Sequence, residues 1–151
     1  MPTDPTEASH RALREIRRQL ERHPAVTTVR GFPPETHTSV EAGLDLVVLS
    51  TRPDEYPAAT GTLTVRWFVG EAETDRPEFS VHYSDESGVD CGWHHEPNTH
   101  VDEWGHFQAR TEPNSGYTYR PYSFETTVPG RVIWEVLSVL PERLTSLAAE
   151  R

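Results

Sequence analysis

Between residues 5 and 23 the apolar positions Ala8, Ala12, Leu13, Ile16 and Leu20 recur at three- and four-residue steps, while Arg11, Arg14, Arg17 and Arg18 fall mostly outside that stripe. The spacing predicts an amphipathic helix with one face on a core. Asp4 stands as its N-cap, Pro5 at the first helical position and Glu7 as the partner in a capping box, and Pro24 closes it after His23. The arginine ridge reads as a solvated face before it reads as a phosphate contact.

From Val26 the period shortens toward two. "VTTVRGF" predicts a short strand, and "TSVEAGLDLVVLST" a longer one with a bulge at Gly43. After the loop "RPDEYPAAT", Leu63, Val65, Trp67 and Val69 alternate with Thr64, Arg66 and Phe68, so the first four should face the core. "EFSVHYS" repeats the alternation through Phe79, Val81 and Tyr83. "DESG" supplies turn chemistry at 85–88, and "VDCGWHH" is the return strand. "HVDEWGHFQAR" predicts one more strand, "TEPNSG" a loop, and "SGYTYRPYSFE" an edge strand that closes the core. Ile133, Val136, Leu137, Leu140, Leu144 and Leu147 trace a final helical face, which Pro141 should kink or divide. The whole reads as one α+β domain over 1–151. A helix over 1–24 and another over 127–151 flank an antiparallel meander of five to seven strands at 26–125.

A chain of 151 residues buries enough surface to fold without a metal or disulfide staple. Its single cysteine cannot form an internal disulfide, and no long apolar run marks a leader or membrane span. A cytoplasmic protein with no membrane partner is expected. The formal net charge is −10, and all the basic residues are arginine. Coding bias toward arginine explains the missing lysine; together with the acidic excess it also suits a halophilic cytoplasm. At ~1 M salt the Debye length falls to about 3 Å, so acidity there does not exclude nucleic acid.

The chemistry-bearing stretch is "CGWHHEPNTHVDEWGHF", which gathers Cys91, Trp93, His94, His95, His100, Trp104 and His106. Strand alternation sends Cys91, Trp93 and His95 to one side and Asp90, Gly92 and His94 to the other, and would set His100 and His106 on a common face if an unbroken strand joined them. Three readings stay open. His94, His95, His100 and His106 are candidate acid–base residues, with Arg110, Tyr119 and Arg120 as candidate substrate contacts. Alternatively the imidazoles, with or without Cys91, hold zinc, although their spacings match no standard zinc signature. In the third reading they only satisfy hydrogen bonds in a polar hairpin. Cys91 itself reads as a small buried side chain. No nucleophile elbow, Walker loop or dinucleotide turn is present, so no cofactor other than zinc is expected.

The order "VHYSDESG", then "HHEPNTHVDEWGHF", then "PYSFE" before a terminal amphipathic helix resembles the TumE-type toxins of toxin–antitoxin pairs, over roughly 62–140. In this chain "DCGW" stands where an Arg-Tyr-Asp-Asn stretch would precede the histidines. The resemblance implies a toxin-like protein that acts on RNA or another essential target and is silenced by an antitoxin protein, and the clustered histidines are compatible with phosphodiester cleavage. A non-enzymatic partner-binding module, with its tryptophans as the contact surface, is the alternative from another class.

Overall fold

The computed structural model describes residues 5–50, 56–70 and 76–150, so the expected Asp4 cap and part of the loop before residue 60 lie outside the described residues. Its elements run α1 (Pro5–Arg22), β1 (Val26–Phe32), β2 (Ser39–Asp45), α2 (Leu46–Leu49), β3 (Thr60–Phe68), β4 (Glu78–Ser84), β5 (Asp90–His95), β6 (Gly105–Arg110), β7 (Thr118–Pro121) and α3 (Pro129–Ala149). The seven strands form one antiparallel sheet in sequence order, each paired with the next. This is the expected α+β meander between two helices.

Register explains why the core lies on one side. Val40, Val65, Val81, Trp93 and Phe107 stand in one transverse row, and Ala42, Leu63, Tyr83, Cys91 and Ala109 in the next. All ten are buried. Leu13, Ile16 and Leu20 of α1 join the same core as Val132, Ile133, Val136, Leu137, Leu140 and Leu144 of α3. Trp93 and Tyr83 are the largest fully buried side chains. Burying an aromatic or aliphatic chain of this size contributes about 1.5–3 kcal/mol each, so these two rows carry much of the fold's hydrophobic stabilisation.

Three local expectations are corrected. The strand expected to run through Leu46 and Val48 ends at Asp45, whose carboxylate accepts from Val47 N at 3.0 Å and Val48 N at 3.3 Å and so caps a single helical turn. The irregularity expected at Gly43 belongs to its partner strand: between Val26 and Thr28, β1 holds one residue more than β2. Pro141 sits inside one continuous α3 rather than opening a second helix. The turn at 85–88 forms as expected, with Gly88 at φ 97° and Asp85 accepting from Ser87 N at 2.8 Å. Among the described residues no helix is long and apolar enough to cross a membrane.

Candidate functional site

The sheet face opposite the core carries the rows Ser39, Arg66, Ser80, His94, His106, Pro121, then Glu41, Thr64, His82, Gly92, Gln108, Tyr119, then Gly43, Thr62, Ser84, Asp90, Arg110. Three imidazoles therefore rise side by side from β4, β5 and β6. Their placement follows from period-two alternation: each flanks residues that the core requires.

His82 lies across the neighbouring strand, over Gly92. A β-carbon at Gly92 would come within 2.3 Å of His82 Nδ1, so only glycine leaves room for the ring. From there Nε2 hydrogen-bonds Asp90 Oδ1. The other carboxylate oxygen accepts from Arg110 Nη2 at 3.0 Å, and the Arg110 guanidinium sits 4.6 Å above the Tyr117 ring. Burial pushes the Asp90 carboxyl up, but His82, Tyr117 and Arg110 outweigh it and hold the group below its ordinary value.

His94 stands edge-on to His82 with ring centroids 5.7 Å apart, and stacks on His106 at 5.0 Å with 13° between planes. Its Nδ1 is 3.2 Å from Glu96 Oε1. A carboxylate can only accept, so Nδ1 carries the proton and Nε2 the lone pair. That Nε2 is buried and has no hydrogen-bond partner. Burial first, then the charges of His106 and His82, push His94 down to about 4. Among the described residues the other buried side-chain polar atom without a partner is Arg110 Nε, on the same face.

His106 is 2% exposed although it belongs to the outer face. The Trp104 backbone and the Tyr119 ring flank it. Asn98 organises the segment 96–104: its Nδ2 donates to Glu96 O at 3.2 Å and Glu103 O at 3.1 Å, and its Oδ1 accepts from His100 N and Val101 N at 3.0 Å. His100 thereby stacks on Tyr119 at 3.6 Å, and Tyr119 lies 6.3 Å from His106. No strand joins His100 to His106, since β6 begins at Gly105. An Asn-centred loop, rather than strand alternation, brings them near.

Of the residues singled out from sequence, His94, His106, Arg110 and Tyr119 share this face and His100 sits at its rim. His95 does not join them. It points to the core side, where Nδ1 donates to Pro77 O at 2.7 Å and the ring packs on Phe79, Trp104 and Phe124. Arg120 stands opposite Phe107 in the register, so its side chain leaves the sheet on the helix side. Cys91 faces the core as the small buried side chain that was expected, with burial first and then the Asp90 and Asp85 charges raising its thiol, and it stands on the opposite side of the sheet from His94 and His106.

Three contributors went unrecognised in the sequence: His82, Asp90 and Glu96. The turn at 85–88 carried a usable signal for two of them. Closing it pairs Ser84 with Asp90, and counting outward sets His82 against Gly92 and Ser80 against His94.

His94, Glu96 and His106 are the described residues that could hold a metal ion: one donor atom of each lies within 4.8 Å of the others. His94 and Glu96 also line a cleft of about 460 Å³ that Arg66, Ser80, His37 and Ser9 help to form where α1 crosses the end of β3 and β4. Comparison of the chain with protein-family models, with curated proteins and with solved structures returned no match.

Proposed function

We propose that this face performs histidine acid–base cleavage of RNA phosphodiesters, and that the protein is a toxin-like component of a toxin–antitoxin pair acting in a salt-rich cytoplasm. The observation that carries the reading is the pairing of two unlike imidazoles at 5.7 Å. His82 is bound to the Asp90 carboxylate through Nε2, whereas His94 meets the Glu96 carboxylate through Nδ1 and keeps on Nε2 a lone pair with no partner. Acid–base chemistry on one phosphate needs two groups that differ in this way.

In this mechanism the side chains that cover His94 Nε2 move aside as RNA binds, and Nε2 takes the proton of the ribose 2′-hydroxyl as that oxygen bonds to phosphorus. The P–O5′ bond breaks, and the leaving oxygen receives a proton from protonated His82, whose positive charge the Asp90 carboxylate balances. Arg110 supplies positive charge for the phosphoryl oxygens through the guanidinium whose Nε lacks an acceptor. Tyr119 and His100, stacked in parallel, offer an aromatic edge for a base. The substrate class is single-stranded RNA, and the partner would be an antitoxin protein that covers this face.

The test is cleavage of a single-stranded RNA by EDTA-treated protein at high salt, with His82→Gln and His94→Gln beside it. Each substitution should reduce the rate about 10²–10⁴-fold, and a substrate with a 2′-deoxyribose at the cleaved position should resist. Absence of cleavage, or unchanged rates in both variants, would overturn the mechanism. In cells, growth arrest on expression should disappear in the same variants.

A further inference from the structure

We propose that His94, Glu96 and His106 form a three-ligand site for one divalent transition-metal ion of the zinc class, with a fourth coordination position left for water or for a ligand arriving through the adjoining cleft.

The strand register builds the site. His94 and Glu96 are two residues apart and leave the end of β5 on the same face, while His106 is directly opposite His94 on β6. Neighbouring strands lie about 4.8 Å apart, so an i, i+2 pair and one cross-strand residue raise three side chains around a single point above the sheet. One donor atom of each lies within 4.8 Å of the others. The 3.2 Å between His94 Nδ1 and Glu96 Oε1 already equals the ligand–ligand edge, roughly 3.3 Å, of a tetrahedral ion whose bonds are about 2.0 Å. Only His106 has then to close in. The hydrogen bond from its Nδ1 to Trp104 O is long at 3.4 Å and so opposes such a shift only weakly. The Glu96 side chain is 44% exposed and can swing.

The donor set selects the ion. Two imidazoles and a carboxylate suit zinc, cobalt(II) or nickel(II) and discriminate against calcium and magnesium, which demand oxygen ligands.

A regulatory consequence rests on the acid–base reading above. A neutral imidazole has one lone pair, so whichever nitrogen the ion takes, the other keeps the proton and His94 cannot act as a base. The ion-loaded protein should therefore be inactive in RNA cleavage, and chelation should restore it.

The full chain, stripped with EDTA, is titrated with cobalt(II) chloride while visible d–d absorption is recorded, and with zinc chloride by calorimetry. One ion per chain is expected, with affinity falling at least tenfold in Glu96→Gln and in His106→Gln but not in His23→Gln. Glu96 is partly exposed, so its substitution remains informative if the buried His106 variant fails to fold. No saturable one-to-one binding, or binding indifferent to Glu96→Gln, overturns the site. Cleavage measured in the same titration separates the two readings. If the ion binds while cleavage continues undiminished, the regulatory consequence falls and the site stands. If the metal-free protein never cleaves RNA, the acid–base reading falls while the binding data still decide the site.

Discussion

Substituting Gly92 by alanine should destabilise the protein, and the sign of the effect is the informative part. In a strand interior glycine is ordinarily about 0.5–1 kcal/mol worse than alanine, so propensity alone predicts a gain. Here the added β-carbon would stand 2.3 Å from His82 Nδ1 and 3.1 Å from Cγ and Cε1. Backbone pairing on both sides, to His82 and to Gln108, prevents β5 from moving away, so the ring must retreat by about 1 Å to reach van der Waals distance. Asp90 cannot follow, because Arg110 holds its other oxygen. The His82–Asp90 hydrogen bond is then lost. Bonds to charged groups contribute about 1.5–3 kcal/mol. With side chains 26% and 19% exposed, solvent screening puts this one at the lower end. Set against the propensity gain, the net loss is roughly 1 kcal/mol, or about 2–4 °C in Tm for a chain of this size. Urea and thermal unfolding of Gly92→Ala would measure it, and in an Asp90→Asn background the same substitution should cost nothing or stabilise. If Gly92→Ala alone raises the midpoint, His82 does not lie across this strand, and the His82–Asp90–Arg110 arrangement is wrong.

Three further outcomes are expected. The Asp90 carboxyl is held below its unfolded value of 3.8, so its contribution is complete above that pH and is lost as pH falls from there through the lower folded value; the wild-type stability curve should slope in that window, and Asp90→Asn should flatten it. Asn98→Ala removes four hydrogen bonds of the segment 96–104; global stability should change by about 1–2 kcal/mol, while amide exchange at residues 98–104 rises by a larger factor than elsewhere and the His100 ring loses its shielding by Tyr119 in NMR spectra. Glu135 accepts from Tyr122 Oη at 2.6 Å and from Glu125 N at 3.0 Å, so Glu135→Ala should loosen the link from β7 to α3 at a cost of about 1–3 kcal/mol in chemical unfolding, and Tyr122→Phe should recover less than half of that loss.

What could be read in the sequence follows the strength of the physical constraint at each position. Alternation in β3 and β4 is enforced by a buried face, so Leu63, Val65, Phe79 and Val81 pointed inward both in the pattern and in the fold. The run 44–49 misled because its apolar character fits a strand or a helix equally well, and the deciding contact is the Asp45 side chain on two backbone amides. The histidine cluster divided for a related reason. Adjacent strand residues must diverge, which separated His94 from His95, but the choice of His82 as the third imidazole needed the register of another hairpin and a glycine across from it. Local density in sequence drew attention to His95 and His100, whereas proximity on the sheet is set by neighbours on other strands.

Whether the imidazoles serve only to fill a polar hairpin can be weighed from hydrogen-bond satisfaction. A buried polar atom left without a partner costs about 1–3 kcal/mol, and side chains whose role is packing are ordinarily arranged so that this does not arise. Elsewhere in the described residues the polar groups follow that rule: Tyr83 and Tyr56 both donate to Asp85, and His95 donates to a backbone carbonyl. His94 and Arg110 depart from it together, on one face and one strand apart. Replacing His94 by leucine separates the two roles. A packing histidine with an orphaned nitrogen should be improved by an apolar residue of similar size, so Tm should rise. Ion binding should meanwhile be lost, and so should RNA cleavage. The substitution also removes the Nδ1–Glu96 hydrogen bond, so a Tm that falls by more than about 3 °C below that of Glu96→Gln, roughly 1 kcal/mol for this chain length, would mean that Nε2 is already satisfied in solution, by water or a neighbour, and would remove the energetic argument for a ligand at this face.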